Sequence, residues 1–162
     1  MPSFTVPCPG LVNKLRCVVA VKDPNAAKGG NFYALWDTCA TNSVITDRVA
    51  KALGLVAVGK MTVNGVNGAA VVPYYIVDII LPGGIAATRI VSEGKSAGDW
   101  DVLIGMDIIM HGDFSVSNFN GTTTFSFRVP SRAVTDYVAE ERAAAAAAQA
   151  ANPPPPPEGQ NS

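Results

Sequence analysis

The chain is written as short β-type runs, each closed by a turn that only a few residue types can make. Leu15 to Val21 is rich in Val with polar residues interleaved, and Phe32 to Trp36 is apolar and aromatic. Asp23-Pro24-Asn25 opens a turn between them and Lys28-Gly29-Gly30-Asn31 closes it, so the two runs are expected to pair antiparallel. Met61 to Val72 carries Asn64-Gly65 and Asn67-Gly68, which mark a hairpin tip because Asn and Gly tolerate positive φ. Pro73 to Leu81 returns as a strand, Pro82-Gly83-Gly84 turns it, and Ala86 to Val91 is its partner. Val102 to Ile104 reads as a buried strand after a polar loop, Glu93 to Asp99. Phe114 to Phe119 and Thr122 to Val129 flank Asn120-Gly121 as a further hairpin. The reading is an all-β domain.

Helix signals are few. Ser43 to Gly54 has Val49, Ala50 and Leu53 at helical spacing, Thr46 or Asp47 as a cap, and Gly54 as a stop. Asp107 to Met110 suits a short helix capped by Asp107 and ended by His111-Gly112. Residues 1–13, with Pro2, Pro7, Pro9 and Gly10, read as an irregular arm. Ser131 is expected to cap a helix running through Tyr137 and Val138 into the alanines 143–148, until the prolines 153–157 end it in a disordered tail. The expected organisation is an arm (1–13), a folded domain (14–138), and an Ala-rich helix with a Pro-rich tail (139–162).

With 162 residues, 48% of them apolar, the chain can bury one real core. A net charge of -1 and no basic run argue against a nucleic-acid partner. The longest apolar run, Val71 to Leu81, is broken by Pro73 and Asp78 and is too short for a bilayer, so no membrane partner is expected. No basic segment leads into an apolar core at the N-terminus, so no secretory signal is read. Cys8, Cys17 and Cys39 have no metal-ligand spacing, and His111 is the only histidine, so neither a metal nor another cofactor is expected. With three thiols and no disulfide framework, a reducing cytoplasm is the default expectation.

Two segments carry chemistry. Phe32 to Trp36 runs into Asp37-Thr38-Cys39-Ala40-Thr41-Asn42-Ser43-Val44-Ile45, and about sixty residues later comes Trp100-Asp101-Val102-Leu103-Ile104-Gly105-Met106-Asp107. Together, and in this order around a glycine hairpin, they resemble the retropepsin-like aspartic peptidases. In that family a hydrophobic strand ends in Asp-Thr/Ser-Gly-Ala and a later hydrophobic-hydrophobic-Gly segment packs beneath it. The resemblance covers roughly Lys14 to Val129, and Gly105-Met106-Asp107 is typical of the family's bacterial and cellular branches. One position departs from the pattern: Cys39 stands where the family has glycine.

The resemblance implies a closed barrel with one or two short helices. It implies Asp37 as catalytic carboxylate in a homodimer, with Thr38 hydrogen-bonding across the two-fold axis. It also implies Ala40 and Cys39 beside the substrate, a flap at Gly65, Asn67 and Gly68 closing over a peptide or protein, and Ile104-Gly105 supporting the Asp37 turn. The chemistry needs two carboxylates around one water. Like charges that close cannot both ionise, so one keeps a proton and the other acts as base. A chain with a single Asp-Thr motif reaches two only by pairing with a second copy.

Other readings stay open. Asp37 could be a solvated or capping aspartate after a strand. Cys39 could be a tolerated small residue, the mark of an enzyme that lost activity and kept its fold, or a thiol that reacts, with His111 as the only available base. Asp78 is expected on a solvated edge or paired with a cation such as Arg89. Trp36 and Trp100 are read as core. The function expected is an aspartic endopeptidase; the alternative is a catalytically inactive dimeric module that binds peptides or serves as a scaffold.

Overall fold

A computed structural model describes residues 2–65, 68–96 and 98–151. In chain order the strands begin with β1 Ser3–Pro7, β2 Arg16–Lys22, β3 Gly29–Trp36 and β4 Val44–Thr46, followed by helix α1 Asp47–Leu53. Then come β5 Gly59–Gly65, β6 Gly68–Leu81, β7 Ile85–Gly94 and β8 Val102–Ile104, followed by α2 Met106–Ile109. β9 Asp113–Ser117 and β10 Thr124–Arg128 follow, and α3 spans Tyr137–Ala151.

Period-two alternation builds the wall. Cys17, Val19 and Val21 of β2 are buried, as are Val77, Ile79 and Leu81 of β6, and the residues between them face outward or sit half-buried. One sheet runs β2-β3-β8-β4-β7-β6-β5, and β2 also pairs with β6 through Ala20↔Ile80, Val21↔Ile79 and Lys22↔Asp78. That pairing closes six strands into the expected barrel and leaves β5 attached to β6 alone. Pro73 falls where β6 changes partners: the ladder to β7 begins only at Tyr74. A ring that cannot donate is tolerated where no second strand asks for its hydrogen.

The expected antiparallel pair of β2 and β3 is present, with register Val18↔Tyr33. β8 enters between β3 and β4, parallel to the first and antiparallel to the second. The loop joining β3 to β4, which carries Asp37, therefore straddles the end of β8.

A second sheet has the order β1-β10-β9. Its inner face contributes Phe4, Phe114, Phe125 and Phe127, and these surround Trp36. The Trp36 ring stacks on Phe114 at 5.0 Å with 6° between planes, and its Nε1 donates to Cys17 Sγ at 3.3 Å. Each aromatic pair of this kind adds about 0.5–1.5 kcal/mol beyond simple burial. Trp36 is thus core, fixing the residue immediately before Asp37.

Four sequence expectations are corrected. Residues 1–13 are not wholly irregular, since β1 pairs with β10 over Ser3↔Arg128 to Pro7↔Thr124. The helix expected from Ser43 begins at Asp47, because 44–46 pair with β7 and β8. Thr46 takes the N-cap position, yet its buried hydroxyl makes no cap bond and, among the described residues, has no partner. Ser131 does not cap α3: its hydroxyl donates to Asp113, and Asp136 accepts from the Ala139 amide at the start of the helix instead. Gly54, at φ +67°, stops α1 as expected.

Residues up to Arg132 form one compact unit, so β1 belongs to the domain rather than to a separate arm. A second unit starts at Ala133, and its helix α3 buries none of its residues. The proline tail at 153–157 lies outside the described residues. No helix among the described residues is long and apolar enough to cross a membrane.

Candidate active site

β3 delivers Asp37 to the surface at the end of its pairing with β8. The Asp37 amide donates to the Ile104 carbonyl at 3.0 Å, and a turn follows in which the Ala40 amide reaches the Asp37 carbonyl at 3.3 Å. The Cys39 amide donates to Asp37 Oδ1 at 2.8 Å. An aspartate that accepts from the amide two residues on locks its own side chain against the turn. One carboxylate oxygen is therefore committed to local geometry. Among the described residues nothing donates to Oδ2, and no cation pairs with Asp37. Asp37 is half-buried, Ala40 likewise, and Thr38 and Cys39 are exposed.

Cys39 does not strain the turn. Among the described residues only Asn120 combines a side chain with positive φ, so Cys39 sits in a backbone region open to any residue. Among the same residues no hydrogen bond links Cys39 to His111, which is exposed beyond α2.

Gly105 supplies the floor. A Cβ there would stand 2.6 Å from the Asn42 carbonyl carbon, 2.7 Å from its oxygen and 3.0 Å from the Ala40 oxygen. Only glycine lets the two backbones approach this closely. Ile104 is fully buried, and the Met106 and Asp107 amides donate to the carbonyls of Ala40 and Thr41 at 2.8 and 3.1 Å. Residues 37–43 thus lie on the β8–α2 junction as on a cradle.

The β5–β6 hairpin ends with Gly65 opposite Gly68, the latter at φ +100°. Its first β6 residues, through Val71, are exposed. Asn67 lies outside the described residues. Trp100 does not join the Asp37 cluster: it lines a cavity of about 490 Å³ with Thr46, Arg48, Glu93 and Asp101. Asp101 is a buried tie, accepting from Arg48 Nε at 2.8 Å and from the Tyr33 amide at 3.1 Å.

Asp107 is not where the sequence placed it, and Asp78 is not paired with Arg89. Asp107 does not cap α2; its Oδ1 accepts from Ser43 Oγ at 2.8 Å. Asp78 pairs with the Thr88 hydroxyl at 2.6 Å, while Arg89 turns to Asp107. Sequence reasoning missed Ser43 and Arg89, whose partners are 64 and 18 residues away. The only signal was a lone arginine in an otherwise uncharged stretch of β7. Among the described residues no group of three or more His, Cys, Asp or Glu side chains is placed to hold a metal.

Residues 26–108, which contain the Asp37 turn, the hairpin and the Gly105 floor, match the aspartyl protease family. The chain belongs to that family. The resemblance read from its two motifs is therefore borne out. Among solved structures, it is similar to EIAV protease complexed with an inhibitor, at 22% identity over 62% of this chain and 88% of that one, TM-score 0.45. It is also similar to a retropepsin-like aspartic protease from Rickettsia conorii, at 12% identity over 78% and 94% of the respective chains, TM-score 0.48. No curated protein matches it.

Proposed function

We propose that the chain is an aspartic endopeptidase that hydrolyses peptide bonds as a homodimer. Asp37 of each copy faces the other across a two-fold axis with a water between them. One carboxyl, holding the shared proton, polarises the scissile carbonyl; the other takes a proton from the water as it attacks. The pair titrates as a unit, so neither copy owns either role. The observation that carries this reading is Asp37 itself: one oxygen is held by the Cys39 amide and, among the described residues, the other has no donor.

Thr38 is assigned to the contact across the axis, Cys39 and Ala40 to the cleft floor, and the Gly65–Gly68 hairpin with Asn67 to a flap over the substrate. Ile104 and Gly105 support the turn. The three free cysteines fit a reducing, cytoplasmic setting. The exposed Cys39 thiol favours one second reading, an inactive member whose dimeric cleft still binds peptides.

Cleavage of a peptide library by wild type, Asp37→Asn and Cys39→Gly separates the two. The enzyme reading requires cleavage that disappears in Asp37→Asn; sedimentation must show a dimer under the same conditions. A monomer that still cuts, or activity that survives Asp37→Asn, overturns it.

A further inference from the structure

A polar network that the dyad chemistry does not use lies directly behind the Asp37 loop. Its centre is Ser43, whose side chain is fully buried. Ser43 Oγ accepts from the Gly105 amide at 3.1 Å and donates to Asp107 Oδ1 at 2.8 Å. Asp107 is held in turn by Arg89. Nε and Nη2 of Arg89 donate to the Asp107 carbonyl at 3.2 and 3.0 Å, and Nε lies 3.7 Å from Oδ2. The side chains of Arg89 and Asp107 are only 25% and 16% exposed, so this pair is shielded from solvent more than a surface ion pair is.

The network has a direction. An ionised carboxylate only accepts, so the single Ser43 proton must point to Asp107. That leaves a Ser43 lone pair for the Gly105 amide. The Arg89 guanidinium compensates the Asp107 charge, which would otherwise be costly at this depth. The consequence is mechanical. Residues 40–43 are fastened to the start of α2 by the Ala40, Thr41 and Ser43 contacts, and α2 is fastened to β7 by Arg89.

We propose that Ser43, Asp107 and Arg89 are positioning residues: they set the attitude of the Asp37 loop through Gly105 and the backbone of 40–42, without touching substrate. The catalytic half of this proposal rests on Asp37 being the reactive carboxylate. A misplacement near 1 Å can cost roughly a hundredfold in rate, so a network that fixes the loop matters to turnover more than to affinity.

The test uses the full chain and two independent readouts. Peptide cleavage is compared for wild type, Ser43→Ala, Ser43→Thr, Asp107→Asn, Asp107→Leu and Arg89→Met. Expected is a fall in kcat of about tenfold or more for Ser43→Ala and Asp107→Leu with KM little changed. Ser43→Thr and Asp107→Asn, which keep the hydroxyl and an acceptor, should recover most of the loss. Amide hydrogen exchange and alkylation of the exposed Cys39 thiol report the loop whether or not the protein cleaves anything. Exchange over 37–42 and at Gly105 should accelerate about tenfold in Ser43→Ala and in Arg89→Met, while β2 and β3 stay protected. If Ser43→Ala does not fold, Arg89→Met decides alone. Unchanged loop exchange and Cys39 alkylation in the folded variants overturn the network's role. Altered exchange in a protein that never cleaves overturns the peptidase reading and leaves the positioning of the loop standing.

Discussion

Gly105 and Asn42 touch backbone to backbone: a methyl group on the glycine would lie 2.6 Å from the Asn42 carbonyl carbon. Neither side can yield without moving the loop that carries Asp37. Gly105→Ala is expected to destabilise the domain by about 1–3 kcal/mol, the usual range for overpacking. It should cut peptide turnover by more than that loss of stability explains. Urea denaturation beside cleavage kinetics measures both, and a stable, fully active Gly105→Ala would show that the cradle gives way.

At Cys39 the backbone makes no demand for glycine. Cys39→Gly therefore adds freedom to the unfolded chain and is expected to lower stability by about 0.4–1 kcal/mol. Turnover should rise nonetheless, because a side chain is removed beside the Asp37 carboxylate. The gain should vanish in the double variant with Asp37→Asn. Equal cleavage by wild type and Cys39→Gly would mean that the thiol is simply accommodated, and loss of an existing activity would make the thiol a participant.

How much of this was open to the sequence differs by the range of the interaction. Apart from β4, the strands of the barrel wall were legible because alternation is local, and the Asn120-Gly121 turn because positive φ selects those residues; both occupy that region. The strand that delivers Asp37 was legible because Phe32 to Trp36 is a contiguous apolar run ended by a carboxylate. β1 was not, because Pro2 and Pro7 bracket a five-residue edge strand whose partner is at the far end of the domain. β4 was hidden inside a helical pattern, since three residues say little until β7 and β8 claim them. The Ser43–Asp107–Arg89 chain was invisible for the same reason: an arginine in β7 looks as ready to pair with Asp78 on the neighbouring strand as with a helix that follows β8.

Tyr75 gives an alkaline signature. Its hydroxyl, buried on β6, donates to Glu93 at 2.9 Å, and burial first, then the Glu93 carboxylate, pushes its pKa up to about 12. The folded state thus holds this proton more tightly than the unfolded chain, whose tyrosines titrate near 10. The stabilisation is fully present below about pH 10 and is lost as pH rises towards about 12. Stability of the wild type should fall more steeply across that window than stability of Tyr75→Phe; parallel curves in urea titrations would contradict it.

Asp113 gives the acid counterpart. The Ser131 hydroxyl, the Arg132 amide and Arg128 Nε all donate to it, in that order of effect, and hold its carboxyl well below the usual range. A depressed carboxylate contributes stability above the unfolded value of roughly 3.9 and loses it as pH falls through the folded one. Asp113→Asn should melt below wild type at pH 7, and the gap should narrow as the solution is acidified beneath about pH 4. A gap that does not change with pH would assign the effect to shape rather than charge.

The pairing of β1 with β10 sets a condition on how the protein is made. Thr5 and Ser126 share a hydrogen bond of 2.8 Å across 121 residues of chain. The barrel strands are therefore synthesised before the strand that seals Trp36 exists, because Phe125 and Phe127 come from β10. Until then Phe4 and Trp36 have no aromatic cover from that side, and β1 has no partner. Long-range closure of this kind is slow and leaves apolar surface open to other chains during synthesis. Fragments that stop short of Thr124 lack the same cover over the tryptophan, so completion of β10 is the step that shields this aromatic cluster.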